Sequence, residues 1–180
     1  KLNRVTELRD KSFDQLRIEA NEIWEKQLGK IVVETYDEED MYNFYSALYH
    51  TMLAPNLFQD VDGRYRGMDM EIHKDNSLNY YTVFSLWDTF RAAHPLYTII
   101  EQNRTNDFIK TFLNKYDEGG TIPIWDLSAN YTNTMIGYHA IPVIADAYFK
   151  GIRGYDINKA FQAMKHSAMQ DKNGLDSYKR

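Results

Sequence analysis

Cysteine is absent from the 180 residues. That excludes a disulfide scaffold, a thiolate zinc site, an iron–sulfur cluster and a cysteine nucleophile. It does not fix a compartment, because cytoplasmic and exported proteins alike can lack cysteine. Long apolar runs are also absent. Nothing approaches the ~18 uninterrupted apolar residues of a spanning helix, so no membrane association is expected. The N-terminal stretch KLNRVTELRDKSFDQLRIEANEIWEK is charged throughout and lacks the apolar stretch of a signal peptide. Its first residue is Lys rather than Met, as in a processed or excised segment. Positive charge is in short supply. Lys and Arg total 21 against 26 Asp and Glu, a net charge of −5. The sequence pI of about 5.5 argues against a general nucleic-acid binder, which needs a cationic face to neutralise phosphates.

What remains is ordinary globular composition with one excess. Hydrophobic residues make up 43% and charged residues 26%, in a chain about one domain long. Aromatics reach 14%, as 14 Tyr, 9 Phe and 3 Trp. Tyr and Trp pair a flat apolar face with a polar tip, which suits half-wet pockets such as sugar sites. Filling a core is the competing use of the same residues.

Apolar periodicity predicts helices over 6–28, with Gly29 as its stop, and over 38–53, capped by Asp37 and ended by Pro55. Residues 56–82 lose that period. Asp62-Gly63 is a strong hairpin signal and predicts one short β excursion there. Helical spacing returns from Ser85 to Ala93 and again after Pro95. Thr105 is a candidate cap for a helix stopped by Gly119-Gly120. Residues 121–137 read as a loop, 138–150 as a helix with Pro142 in its first turn, and Asp156 as the cap of a last helix. The tail from Gln170 is polar and expected to fray. The fold class is mainly α.

The standard catalytic signatures fail. There is no glycine-rich phosphate loop, no GxSxG elbow and no HExxH pair among the five histidines. Asp60-Val61-Asp62-Gly63 begins like a calcium loop, with Glu71 twelfth. Its fifth position is Arg64 and its sixth, where glycine is required, is Tyr65. Two constellations remain. Trp87-Asp88-Thr89 is followed by Arg91 and His94. On a helix, Asp88 and Arg91 would share a face. A carboxylate and a guanidinium can bond vicinal sugar hydroxyls while an indole covers a ring face. The same residues serve equally as an ion pair beside a core Trp. The second constellation is Trp125, Asp126, Asn130, Tyr131, Asn133, Gly137, Tyr138 and His139, either a binding loop or a solvated connection.

Three blocks carry a resemblance. YHTMLAPNLFQDVDGRYRGMD (49–69), YYTVFSLWDTFRAAHPL (80–96) and GGTIPIWDLSANYTNTMIGYHAIPVIADAYFKGIRGYD (119–156) resemble the α-mannosidases of glycoside hydrolase family 92. The resemblance implies an exo-acting, calcium-dependent α-mannosidase that cleaves α-1,2 linkages with inversion. It implies an N-terminal β-sandwich joined to an (α/α)6 toroid. In that frame residues 1–35 are a linker-type helix, and 36–180 the first part of the toroid with one β-hairpin excursion. Asp88 matches the Asp that holds mannose in the catalytic subsite. Trp87, Arg91, Arg64 and His139 fall in matching blocks as pocket formers, and Asp88 is expected to have Arg91 or a polar loop group in hydrogen-bond reach.

The family's general acid, general base and calcium site belong to blocks with no counterpart before Arg180. The chain would therefore be a fragment, inactive alone, whose partners are a mannose-containing glycan and the rest of the catalytic domain. An apolar flank left uncovered would favour self-association. Export to the periplasm or cell surface is a further implication of the resemblance. Two alternatives stay open: another α-glycosidase on an (α/α)6 scaffold, and a non-enzymatic carbohydrate-binding helical domain.

Overall fold

The computed structural model describes residues 1–170, so the expected fraying beyond Gln170 lies outside the described residues. The chain divides into two compact units, Lys1–Leu53 and Ala54–Arg180.

The first unit holds three helices: α1 (Leu2–Leu8), α2 (Phe13–Leu28) and α3 (Glu38–Thr51). The single helix expected over 6–28 is thus broken. Arg9 turns left-handed at φ 50°, which ends α1. Ser12 then restarts the helix with a reciprocal cap: the Gln15 amide donates to its Oγ at 3.3 Å, and the Ser12 amide donates to Gln15 Oε1 at 2.7 Å. Apolar spacing carried across the break because it does not register a cap. Asp37 caps α3 as expected, accepting from the Glu39 amide at 2.8 Å. Trp24 packs on Tyr49 with ring centroids 4.6 Å apart, joining α2 to α3. Leu48 is the one buried residue of this unit.

The second unit opens with short strands. β1 (Asn56–Leu57) pairs antiparallel with β4 (Tyr81–Thr82), and β2 (Arg64–Arg66) with β3 (Ile72–Lys74). Asp62-Gly63 makes a tight turn, with Gly63 at φ 82°, but that turn precedes β2 rather than joining β2 to β3. The joining loop is 67–71. A third sheet was not expected. It runs β5 (Phe84–Ser85), β6 (Trp125–Leu127) and β7 (Asn130–Tyr131), all antiparallel. Strands two or three residues long are too short to show alternation, so three small sheets read as one excursion and one loop.

Among its described residues the unit also holds five helices: α4 (Leu86–Thr89), α5 (Ala93–Ile100), α6 (Gln102–Gly119), α7 (Ala140–Phe149) and α8 (Ile157–Met169). Pro95 and Pro142 each sit third in their helix, where a missing amide costs no intrahelical bond. Thr105 does not cap α6; it lies inside it, donating its hydroxyl to the Glu101 carbonyl at 3.1 Å. Asp156 does cap α8 through the Lys159 amide at 2.9 Å. The α6 stripe Phe108, Ile109, Phe112 and Leu113 is the centre of the core, closed by Phe84, Leu86, Ile144, Ala147, Ala160 and Ala163. Phe149 and Phe161 remain exposed. No described helix is long and apolar enough to cross a membrane.

Candidate functional site

The first constellation is built where β5 runs into α4. Ser85 pairs with Trp125 across β5 and β6, so the two Trp-Asp pairs of the sequence approach one another. Leu86, fully buried, anchors α4 in the core. That leaves Trp87 half-buried and Asp88 exposed. The Ser85 hydroxyl donates to Asp88 Oδ2, which fixes the carboxylate over the helix start. Arg91 is not the partner. α4 ends at Thr89, so the helical spacing that would bring Arg91 to Asp88 is not continued. The guanidinium instead lies over two rings, 4.8 Å from the Phe90 centroid and 5.4 Å from that of Trp87.

The second constellation reaches the first through His139. Its ring stacks on Phe90 with centroids 4.3 Å apart and planes tilted 33°. Gly137 makes room for it. A Cβ there would stand 2.2 Å from His139 Cε1, and the residue holds φ 87°. Burial lowers the His139 pKa below the usual imidazole range, and nearby Arg91 lowers it further. A neutral ring both donates and accepts, which suits a hydroxyl-rich ligand. The loop is held in unusual backbone: Ser128, Ala129, Asn133 and Met135 all have positive φ. Thr132 ties it down, donating its amide and hydroxyl to the Trp125 carbonyl at 3.3 and 2.9 Å.

Asp126 has a different fate from its neighbours. It is fully buried, paired with Lys115 of α6, and accepts the Thr82 hydroxyl at 2.8 Å. Lys115 is equally buried and lies over the rings of Tyr80 and Phe84. Burial pushes the Asp126 carboxyl up and the Lys115 ammonium down, and each partner opposes the other's shift.

The structure therefore brings together Trp87, Asp88, Arg91 and His139, with Phe90 between the last two. Arg64 is placed on β2, where Asp62 takes its guanidinium at 2.8 Å. His94 lies in the core between Tyr97 and Phe108, away from solvent. Sequence reasoning did not single out Ser85 and Phe90 as site residues. Ser85 stands three residues before Asp88, the spacing of a helix-start side-chain contact, and that was the available signal. It also missed Arg66, whose guanidinium donates to the Ser128 carbonyl and links β2 to the loop.

A separate open cleft of about 240 Å³ is lined by Tyr65, Asp69, His73, Asn114, Asp117 and Glu118. There His73 Nε2 bonds Asp69 at 2.9 Å, which raises the His73 pKa. Among the described residues, no three His, Asp or Glu side chains converge as a cation would need.

The comparisons decide the family. Residues 1–180 match the glycosyl hydrolase family 92 catalytic domain. The chain belongs to glycosyl hydrolase family 92. The family GH92 α-mannosidase BT3965 from Bacteroides thetaiotaomicron aligns with 98% of the chain at 41% identity and a TM-score of 0.91. The chain covers 24% of that protein. The complex of BT3965 with mannoimidazole aligns with a TM-score of 0.92, at 41% identity over 98% of the chain and 23% of that one. The GH92 inverting mannosidase BT2199 of B. thetaiotaomicron VPI-5482 aligns with 97% at 32% identity and a TM-score of 0.89, again over 24% of its length. The chain thus spans about a quarter of the solved structures it matches. No curated protein sequence matches it. The mainly helical fold is that of GH92 catalytic-domain structures.

Proposed function

We propose that this chain is the part of an exo-acting α-mannosidase that grips the terminal mannose, within a calcium-dependent enzyme that cleaves α-1,2 linkages with inversion. The observation that carries the reading is the cluster of exposed Asp88, half-buried Trp87, ring-stacked Arg91 and neutral-leaning His139 in a GH92 chain. The mannoimidazole complex of BT3965 supports a mannose-type ligand, and the inverting chemistry of BT2199 supports the stereochemical outcome.

The division of labour follows from the residues. Asp88 accepts hydrogen bonds from sugar hydroxyls, pre-aimed by Ser85. Trp87 offers an apolar face to the ring. Arg91 is held by two rings in a position to donate. His139 donates or accepts as its tautomer requires. Such contacts bind; they do not by themselves lower the barrier. Inversion needs an acid and a base roughly 6.5–9.5 Å apart with a water between them. In this reading both come from the rest of the catalytic domain, as do the calcium ligands. Arg64 belongs to the rim of the pocket. Uncovered apolar residues such as Phe149 favour self-association of the isolated chain, and the whole protein works in the periplasm or at the cell surface.

The test uses α-1,2-mannobiose. The full-length protein carrying this chain is expected to release mannose with inverted configuration, read by proton NMR at early time. Asp88→Ala should remove most of that activity. Residues 1–180 alone should give no turnover, with or without calcium. Release by the short chain, or full activity in Asp88→Ala, refutes the reading. Preference for a glucoside would move the protein to a different α-glycosidase specificity.

A further inference from the structure

Val83 is the point at which the chain passes from one sheet to another. Thr82 before it ends β4 and Phe84 after it begins β5. Val83 itself has φ 66°. A β-branched residue in the left-handed region is a true outlier, costing of order 1–3 kcal/mol, and it persists only where its surroundings over-determine it. Both neighbours converge on one residue, Thr82 on its side chain and Phe84 on its backbone. The Thr82 hydroxyl donates to Asp126 Oδ2 at 2.8 Å, and Phe84 pairs with Asp126 across β5 and β6. Asp126 is in turn held by Lys115, with both side chains fully buried. The segment that leaves this clamp is Ser85, Leu86, Trp87 and Asp88.

We propose that Asp126, braced by Lys115, is a positioning residue: it holds the left-handed Val83 through Thr82 and Phe84 and so aims Asp88 and Trp87 at the sugar. This deepens the mannosidase reading and rests on it for the ligand. The clamp itself rests on geometry alone. The buried ion pair has no solvent access, so it meets no ligand itself. Nor is it the obvious choice for stability, since a buried pair often does no better than apolar residues of similar volume. Its distinctive feature is that it grips both sides of one strained residue.

The test uses Thr82→Val in the full-length protein, which keeps shape and leaves the Lys115–Asp126 pair intact. Hydrogen exchange in peptides spanning 83–90 should accelerate at least tenfold. For the mannoside reaction kcat should fall about 10- to 100-fold, the scale of a small misplacement of a binding group. Val83→Gly supplies the control. Glycine takes positive φ as readily as negative, so Thr82→Val/Val83→Gly should return slow exchange and most of kcat. Chemical denaturation of both variants separates an effect confined to 83–90 from a global loss of stability. Unchanged exchange in Thr82→Val, or no reversal by Val83→Gly, overturns the clamp. Faster exchange with unchanged kcat in an active enzyme overturns its role in the reaction. If the parent protein hydrolyses no mannoside, the functional reading fails, and the exchange data still decide the clamp.

Discussion

His94 gives a pH dependence that can be worked from its surroundings. It is 3% exposed, wedged edge-on against Tyr97 and Phe108, and neither ring nitrogen has a hydrogen-bond partner among the described residues. Burial alone lowers its pKa from 6.5 to about 4. The folded protein therefore resists protonation that the unfolded chain accepts. Between those two values the unfolded state holds the extra proton, so stability falls as pH drops from 6.5 toward 4. At 1.36 kcal/mol for each tenfold change in proton affinity, the effect is on the order of 3 kcal/mol, most of it lost between pH 7.5 and pH 4.5. Other groups titrate in the same window, so the useful quantity is a difference between variants. His94→Leu is of similar volume and buries no polar atom. At pH 7.5 it should match or exceed the wild type, since two unpaired buried nitrogens are removed. As pH falls to 4.5 its advantage should grow by about 2–3 kcal/mol. Urea unfolding followed by tryptophan fluorescence, at half-unit steps of pH, measures this. A gap that stays constant from pH 7.5 to 4.5 would refute the argument, because His94 would then titrate alike in both states or be charged when folded.

Gly137→Ala should cost about 1–2 kcal/mol for the left-handed backbone. It should also drive the His139 ring off Phe90, weakening mannoimidazole binding by isothermal titration while far-UV circular dichroism is unchanged. Lys115→Met should destabilise by about 3–5 kcal/mol because it strands the buried Asp126 charge. Adding Asp126→Asn should recover most of that loss in chemical denaturation. Losses of the Lys115→Met and Asp126→Asn single variants that simply add in the double variant would show that the two groups do not interact.

Much of the helical frame is legible from residues alone. Asp37 and Asp156 announce their helices because a carboxylate satisfies a free helix-start amide wherever it stands. Pro142 is correctly read as a first-turn residue, whereas Pro95, from which the spacing starts the next helix, sits third inside α5. The failures are equally local. Residues 6–28 keep an apolar stripe across the break at Arg9, so periodicity runs through a boundary that only the Ser12 and Gln15 side chains mark. The two-residue strand β5 exists because Phe84 and Ser85 meet Asp126 and Trp125 from far along the chain. No local pattern of two residues can express that.

The site divides along a similar line. The Trp87-Asp88 and Trp125-Asp126 pairs look alike in sequence, yet one carboxylate faces solvent and the other is sealed beside Lys115. Nothing adjacent to either pair distinguishes them. The difference arises from β5 and β6 lying antiparallel, with Ser85 opposite Trp125 and Phe84 opposite Asp126. Successive residues of a strand face opposite ways. Asp126 is therefore turned into the core by the same register that leaves Trp125 half-exposed. Asp88 escapes that alternation because α4 has already begun at Leu86. One residue of helix onset thus separates a carboxylate free to meet a ligand from one committed to holding the scaffold. Position in the fold, rather than residue type, assigns the two aspartates their work.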